Sequence, residues 1–204
     1  MNVFLYVLDT LADWEISHLI AEINSGRFLR KEIEKPQIIK AGNDLTPIKT
    51  MGGIEITPDI DVDNMNLKTG DLIILPGADT WLNGGNQKII DKIKDNPEIT
   101  VAAICGATFA LAENGLLDNK KHTSNDKEYL KMVCKNYRGQ DFYENKPATV
   151  DNNLITASAY APLEFAYEVI KKINIMKTNT LEAWYNLFRT GEAGYFFELM
   201  NSLG

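Results

Sequence analysis

Apolar residues along the chain gather in short unbroken runs, separated by longer stretches with helical spacing. V-F-L-Y-V-L (3–8) is a run of strand length. After it, Leu11, Ile16, Leu19, Ile20 and Ile23 fall on one helical stripe. P-Q-I-I-K-A (36–41) reads as strand, and the glycines and proline of M-G-G-I-E-I-T-P-D (51–59) suggest an edge hairpin. D-L-I-I-L-P-G-A (71–78) is a strand stopped at Pro76-Gly77, and residues 87–95 form an amphipathic helix closed by Asn96-Pro97. T-V-A-A-I-C (100–105) predicts a strand that runs straight into a helix opening at Gly106.

Beyond that corner, K-H-T-S-N (121–125) reads as a short strand with its exit, and 126–135 as helix. Residues 142–144, 148–150 and 153–157 add strands, with Asp151-Asn152-Asn153 as a turn between the last two. Residues 161–173 make a helix with Pro162 in its first turn, where a missing N–H costs little. Residues 179–203 read as two aromatic-rich helices broken at Thr190-Gly191.

Strands alternating with helices predict an α/β domain with a mainly parallel sheet over residues 1–175. The helices of 176–204 form an extension packed on that domain or on a partner chain. Ligand sites in such sheets collect at the carboxyl ends of the strands. Three features sit there: Leu8-Asp9 leading to Glu15, Pro76-Gly77-Ala78, and Cys105-Gly106.

Composition narrows the class. The 204 residues carry 21 basic and 28 acidic side chains, a net charge of −7, which gives nothing to the phosphate attraction behind nucleic-acid binding. The first residues lack a basic segment and a cleavage site, and no run is long enough for a membrane span, so a cytoplasmic protein is expected. Cys105 and Cys134 are too few and too unlike in setting for a disulfide framework or a metal site. No metal and no cofactor is expected, and the partner is a small-molecule substrate.

The chemistry centres on Cys105. A strand turning sharply into a helix lifts its corner residue above the sheet and aims the helix's free N–H groups at it, an arrangement expected to lower a thiol's pKa. The Gly106 N–H is a natural oxyanion donor. Ala103 and Ala107 stand where a full G-x-nucleophile-x-G elbow has glycines. Buried filler is the competing reading, and for Cys134 it is the preferred one.

L-I-I-L-P-G-A (72–78), A-A-I-C-G-A (102–107) and L-A-E-N-G-L-L-D-N-K-K-H-T-S-N (111–125), with D-W-E-I (13–16) ahead of them, resemble the ThiJ/PfpI family of the class I glutamine-amidotransferase-like superfamily. The resemblance implies a flavodoxin-like sandwich, commonly a homodimer, with Cys105 as nucleophile and Glu15 as the acid beside it. It places the second oxyanion N–H at Ala78. Many members carry histidine directly after the cysteine, where this chain has Gly106, or at the position of Asn125. Cys–His catalysis needs an imidazole beside the sulfur, so a classical peptidase is disfavoured.

What remains is cysteine–carboxyl chemistry on a small carbonyl or amide compound, as hydrolase or glyoxalase/deglycase-like lyase. The alternatives are a redox-sensing or stress-response chaperone-like protein using the Cys105 thiolate without turnover, and a non-catalytic amidotransferase-like domain. Gly77, Asn125, His18, Trp81 and Tyr160 are further pocket candidates. His18, one turn on from Glu15, could also meet a dimer partner, and His122 is expected to pack in the core.

Overall fold

The computed structural model describes residues 1–204. Seven strands form the main sheet: β1 (Asn2–Tyr6), β2 (Gln37–Gly42), β5 (Ile60–Asp61), β6 (Leu72–Leu75), β7 (Thr100–Ile104), β8 (Ala148–Asp151) and β9 (Leu154–Ala157). Their order is β5-β2-β1-β6-β7-β9-β8. All neighbours run parallel except β8, which returns against β9. β6, β7 and β9 are buried at every position. Covered on both faces, they therefore read as continuous apolar runs without alternation.

Helix α1 (Asp13–Ser25) packs against α5 (Pro162–Ile173) on one face. Leu19 and Ile23 of its predicted stripe are fully buried there, with Ile16 close behind. Helices α2 (Gln87–Lys94) and α3 (Gly106–Glu113) are linked by Gln87 and Lys94, which donate to the Asn114 side chain. The expected hairpin forms a separate two-stranded sheet, β3 (Ile48–Lys49) with β4 (Glu55–Ile56). It is clasped to the loop before α1 by Thr10 N–H to Lys49 O (2.8 Å), Met51 N–H to Leu11 O (2.9 Å) and Gly52 N–H to an Asp13 carboxylate oxygen (2.7 Å).

The fold departs from expectation around residue 122. Neither 121–125 nor 142–144 forms a strand; a single bridge joins His122 to Tyr143, and Gln140–Phe142 is a 3-10 turn. The cause is local. Thr123 N–H donates to the Thr156 hydroxyl (2.8 Å) and the Thr123 hydroxyl donates to Lys146 O (2.8 Å), so side-chain bonds replace a ladder. The helix that follows, α4, is Lys127–Val133.

Helices α6 (Thr178–Thr190) and α7 (Ala193–Ser202) close the chain and pack on each other, with α6 also against α5. Trp184 of α6 is fully buried, and its Nε1 donates to Glu22 Oε1 of α1 at 3.0 Å. Glu22, itself buried, also takes both forks of the Arg27 guanidinium. No helix is long and apolar enough to cross a membrane.

Candidate active site

Cys105 follows the last residue of β7, and its N–H still donates to Ala157 O of β9 at 3.0 Å. The chain then enters α3 with no intervening residue, which forces Cys105 to φ 57° and ψ −125°. Side chains with a Cβ rarely adopt such a backbone. The turn carries the thiol above the carboxyl edge of the sheet, where it is partly exposed. Gly106 starts α3 where no side chain fits, since a Cβ there would lie 2.9 Å from the Ala78 carbonyl oxygen.

Glu15 stands in the first turn of α1 and is only 1% exposed. The Gly77 N–H donates to its Oε2 at 2.6 Å, whereas Oε1 has no hydrogen-bond partner. Gly77 is what lets acid and thiol converge. A Cβ at that position would fall 2.3 Å from Glu15 Oε2 and 2.8 Å from both Oε1 and the Cys105 Cβ. Ala12 N–H to Gly77 O (2.9 Å) ties the loop before α1 to the same strand end.

The electrostatics reverse the expected direction for the thiol. Burial, followed by the neighbouring Glu15 charge, pushes Cys105 up to about 11, outweighing the lowering by Asn125 and the Gly106 N–H. Glu15 is also raised, chiefly by burial, with the adjacent Cys105 thiol and the Gly77 N–H pulling the other way. The field of α3's N-terminus therefore does not hold a resting thiolate. Two acidic groups raised together, one beside the other, form a pair that retains a proton at neutral pH.

Asn125 is fixed as a donor to the sulfur. Its Oδ1 accepts from the Ala159 N–H (2.8 Å), which turns its Nδ2 toward Cys105 Sγ at 3.3 Å. The N–H groups flanking Ala78 are both engaged, Gly77 with Glu15 and Asp79 with the Thr10 hydroxyl (2.9 Å). The Ala78 N–H itself donates to no group of the chain, and its nitrogen lies 3.5 Å from where a Gly106 Cβ would be.

A cavity of about 280 Å³ opens over this group, walled by Trp14, Met51, Trp81, Leu82, Phe109 and Tyr129. No cationic side chain lines it. Trp81 is anchored by its Nε1 donating to Pro76 O (2.7 Å). Gly77, Ala78, Gly106 and Asn125 also border the cavity.

Two pocket candidates lie elsewhere. His18 sits edge-on to Phe188 (5.1 Å) and Trp184 (6.2 Å), because it faces α6 and not the sheet edge. Tyr160 is 75% exposed and does not line the cavity; its hydroxyl donates to the Asn125 backbone oxygen (3.1 Å). His122 is buried, bonded to Lys120 O (2.6 Å) and the Tyr137 hydroxyl (2.7 Å), and burial holds its pKa down. Cys134 is a core thiol donating to Phe109 O (3.3 Å), raised by burial to about 12. Trp14, Met51, Leu82, Phe109 and Tyr129 were not foreseen. They come from separate loops and helices, and only Trp14, beside Glu15, and Leu82, beside Trp81, carried a signal of their place.

A strained cysteine corner, a buried acid and a spare amide N–H at the edge of a doubly wound sheet define the class, an α/β protein built around a cysteine elbow. The chain belongs to the DJ-1/PfpI family, whose pattern matches residues 1–172. It is 49% identical over 204 residues to a Bacillus subtilis (strain 168) protein named "Uncharacterized protease YoaZ", covering 99% of this chain and 97% of the relative. A second protein of that strain, "Uncharacterized protease YdeA", is 32% identical over 188 residues, covering 91% and 89%. Among solved structures, a thiJ/pfpI family protein from Bacillus anthracis superposes with a TM-score of 0.97 at 51% identity, over 98% of this chain and 96% of that one. A DJ-1 superfamily protein from Agrobacterium tumefaciens gives 0.78 at 27% identity, over 94% and 99%.

Proposed function

We propose that the protein is a cysteine-dependent enzyme for small, uncharged carbonyl compounds, with Cys105 as nucleophile and Glu15 as acid/base. The observation that carries this reading is the Glu15 carboxyl. One of its oxygens is fixed by Gly77, and the other is left without a partner beside the thiol. A buried carboxylate oxygen with no donor is costly as structure and useful as a proton acceptor.

In the proposed reaction the Cys105 sulfur attacks an aldehyde carbon as its proton passes to Glu15 Oε1. The carbonyl π pair moves onto oxygen, and the N–H groups of Ala78 and Gly106 stabilise the developing negative charge. Glu15 then returns the proton to that oxygen, leaving a neutral hemithioacetal and a carboxylate. Asn125 supports the sulfur while it carries charge, but an amide cannot shuttle a proton, which sets this site apart from a Cys–His peptidase. Apolar walls and the absence of a cationic side chain favour an uncharged substrate such as an α-oxoaldehyde over a carboxylate-bearing one.

Consumption of methylglyoxal, followed by proton NMR for the wild type and for Cys105→Ala and Glu15→Gln, tests the reading. Multiple turnovers lost in both variants are expected. Undiminished turnover in Cys105→Ala, or hydrolysis of a peptide library in preference to aldehydes, would overturn it.

A further inference from the structure

At the end of α1 remote from Glu15, the loop of residues 26–36 folds against the start of α6 and the end of α7 to form a cleft of about 390 Å³. Arg27, Arg30, Lys31, Lys35 and Lys177 line it, and no carboxylate does. In a chain of net charge −7, five cations sharing one cleft is a strong local reversal. Glu15 and Ser25 are ten residues apart on α1, about 15 Å along a helix, so this cleft is separate from the thiol's cavity.

Existing bonds do not explain the cluster. Arg27 is committed to Glu22. Lys31 reaches a backbone oxygen of Gly204, the last residue (2.8 Å), and Lys35 donates to the Asn24 carbonyl oxygen (2.9 Å), which leaves the Lys35 charge unneutralised. Arg30 has a buried Nε with no hydrogen-bond acceptor; its nearest carboxylate, Glu32, stands 3.9 Å away and is largely exposed. The Arg30 side chain keeps 31% of its surface exposed, so an anion can reach it from solvent. Helix α6 also begins at this cleft, with Lys177 at its cap, no capping side chain and no acid in its first turn. Its N–H groups and dipole add to the field of the cations.

We propose that this cleft is a binding site for a small phosphate-bearing anion, gripped by the Arg30 guanidinium, the Lys177 ammonium and the start of α6. A single carboxylate would balance only one of the uncommitted cations, whereas a phosphomonoester near neutral pH carries almost two negative charges. The volume admits a phosphate with a short organic group attached.

Titration calorimetry at pH 7.5 and constant ionic strength tests this on the full chain, with inorganic phosphate, glycerol 3-phosphate and acetate as probes. Saturable heat is expected for at least one phosphate probe and none for acetate. Arg30→Gln and Lys177→Gln should each weaken binding about tenfold, the loss of one charged hydrogen bond. Matching circular dichroism and thermal melts without phosphate would show those variants to be folded. Cys105→Ser should bind as the wild type does, which keeps the site distinct from the thiol chemistry. Tighter glycerol 3-phosphate assigns the cleft to an organic monoester, and tighter inorganic phosphate to the free ion; either supports the site. Heat no greater for phosphate than for acetate, or binding unchanged in both variants, would overturn it.

Discussion

At Cys105 the backbone is held at φ 57° and ψ −125°, a position that costs a residue with a Cβ about 1–3 kcal/mol. Glycine escapes that cost. In an ordinary helix or strand, alanine is more stable than glycine by about 0.5–1 kcal/mol. Here the order should invert, with Cys105→Gly about 1 kcal/mol more stable than Cys105→Ala in urea unfolding; equal stabilities would mean that no strain is held at the corner. Glu15 permits a test in pH. Its folded-state pKa is raised by burial, so the native state holds the proton more tightly than the unfolded chain, and stability falls as pH rises through the folded pKa. Glu15→Gln removes that loss. The variant should melt about 2–4 °C above the wild type at pH 8, with the margin closing toward pH 4, by calorimetry. With the Glu15 charge gone, the thiol should also titrate lower, and iodoacetamide should modify it faster at pH 8.5 than in the wild type. At Gly77 a methyl group would strike Glu15 Oε2 at 2.3 Å. Gly77→Ala should therefore cost about 10²-fold in kcat while leaving the fold intact by circular dichroism.

Among the elements, legibility followed burial. β6, β7 and β9 are short, mostly apolar runs with both faces covered, and the sequence predicted all three. Segment 121–125 is polar and bonds instead to the Thr156 hydroxyl and the Lys146 carbonyl, 33 and 23 positions away, which no local pattern encodes. The start of α3 was legible from Cys105-Gly106, but the direction of the thiol's pKa was not. Dipole arguments see the helix end, whereas the outcome was decided by burial and a carboxylate brought from α1. The bond between α1 and α6 was likewise invisible. Trp184 Nε1 reaches Glu22 across 162 positions, in the core between two helices. Trp184→Phe keeps most of the packing and removes the donor, so urea denaturation should show a loss of about 1–3 kcal/mol.

For the molecule as a whole, the three strand ends that suggested a site do converge. Cys105 and the Pro76-Gly77-Ala78 turn were readable because a parallel sheet gathers its carboxyl ends at one edge, whereas the roles of Glu15 and Ala78 came with the family resemblance. The cavity's aromatic walls and the basic cleft were not readable, since each is assembled from segments whose spacing has no period. Helix α1 spans both regions. It holds the Glu15 carboxyl near its start, and near its end Glu22 is pinned by Trp184 and Arg27. A helix of this length tilts as a rigid body, and a 2° rotation about the far end moves the near end by about 0.5 Å, the margin within which a catalytic group must be held. On the proposed mechanism, docking of the tail helices would set the aim of the acid. A lesion at Trp184 should be legible as a fall in kcat at unchanged KM, making the thiol's own reactivity a gauge of how well the end of the chain is docked.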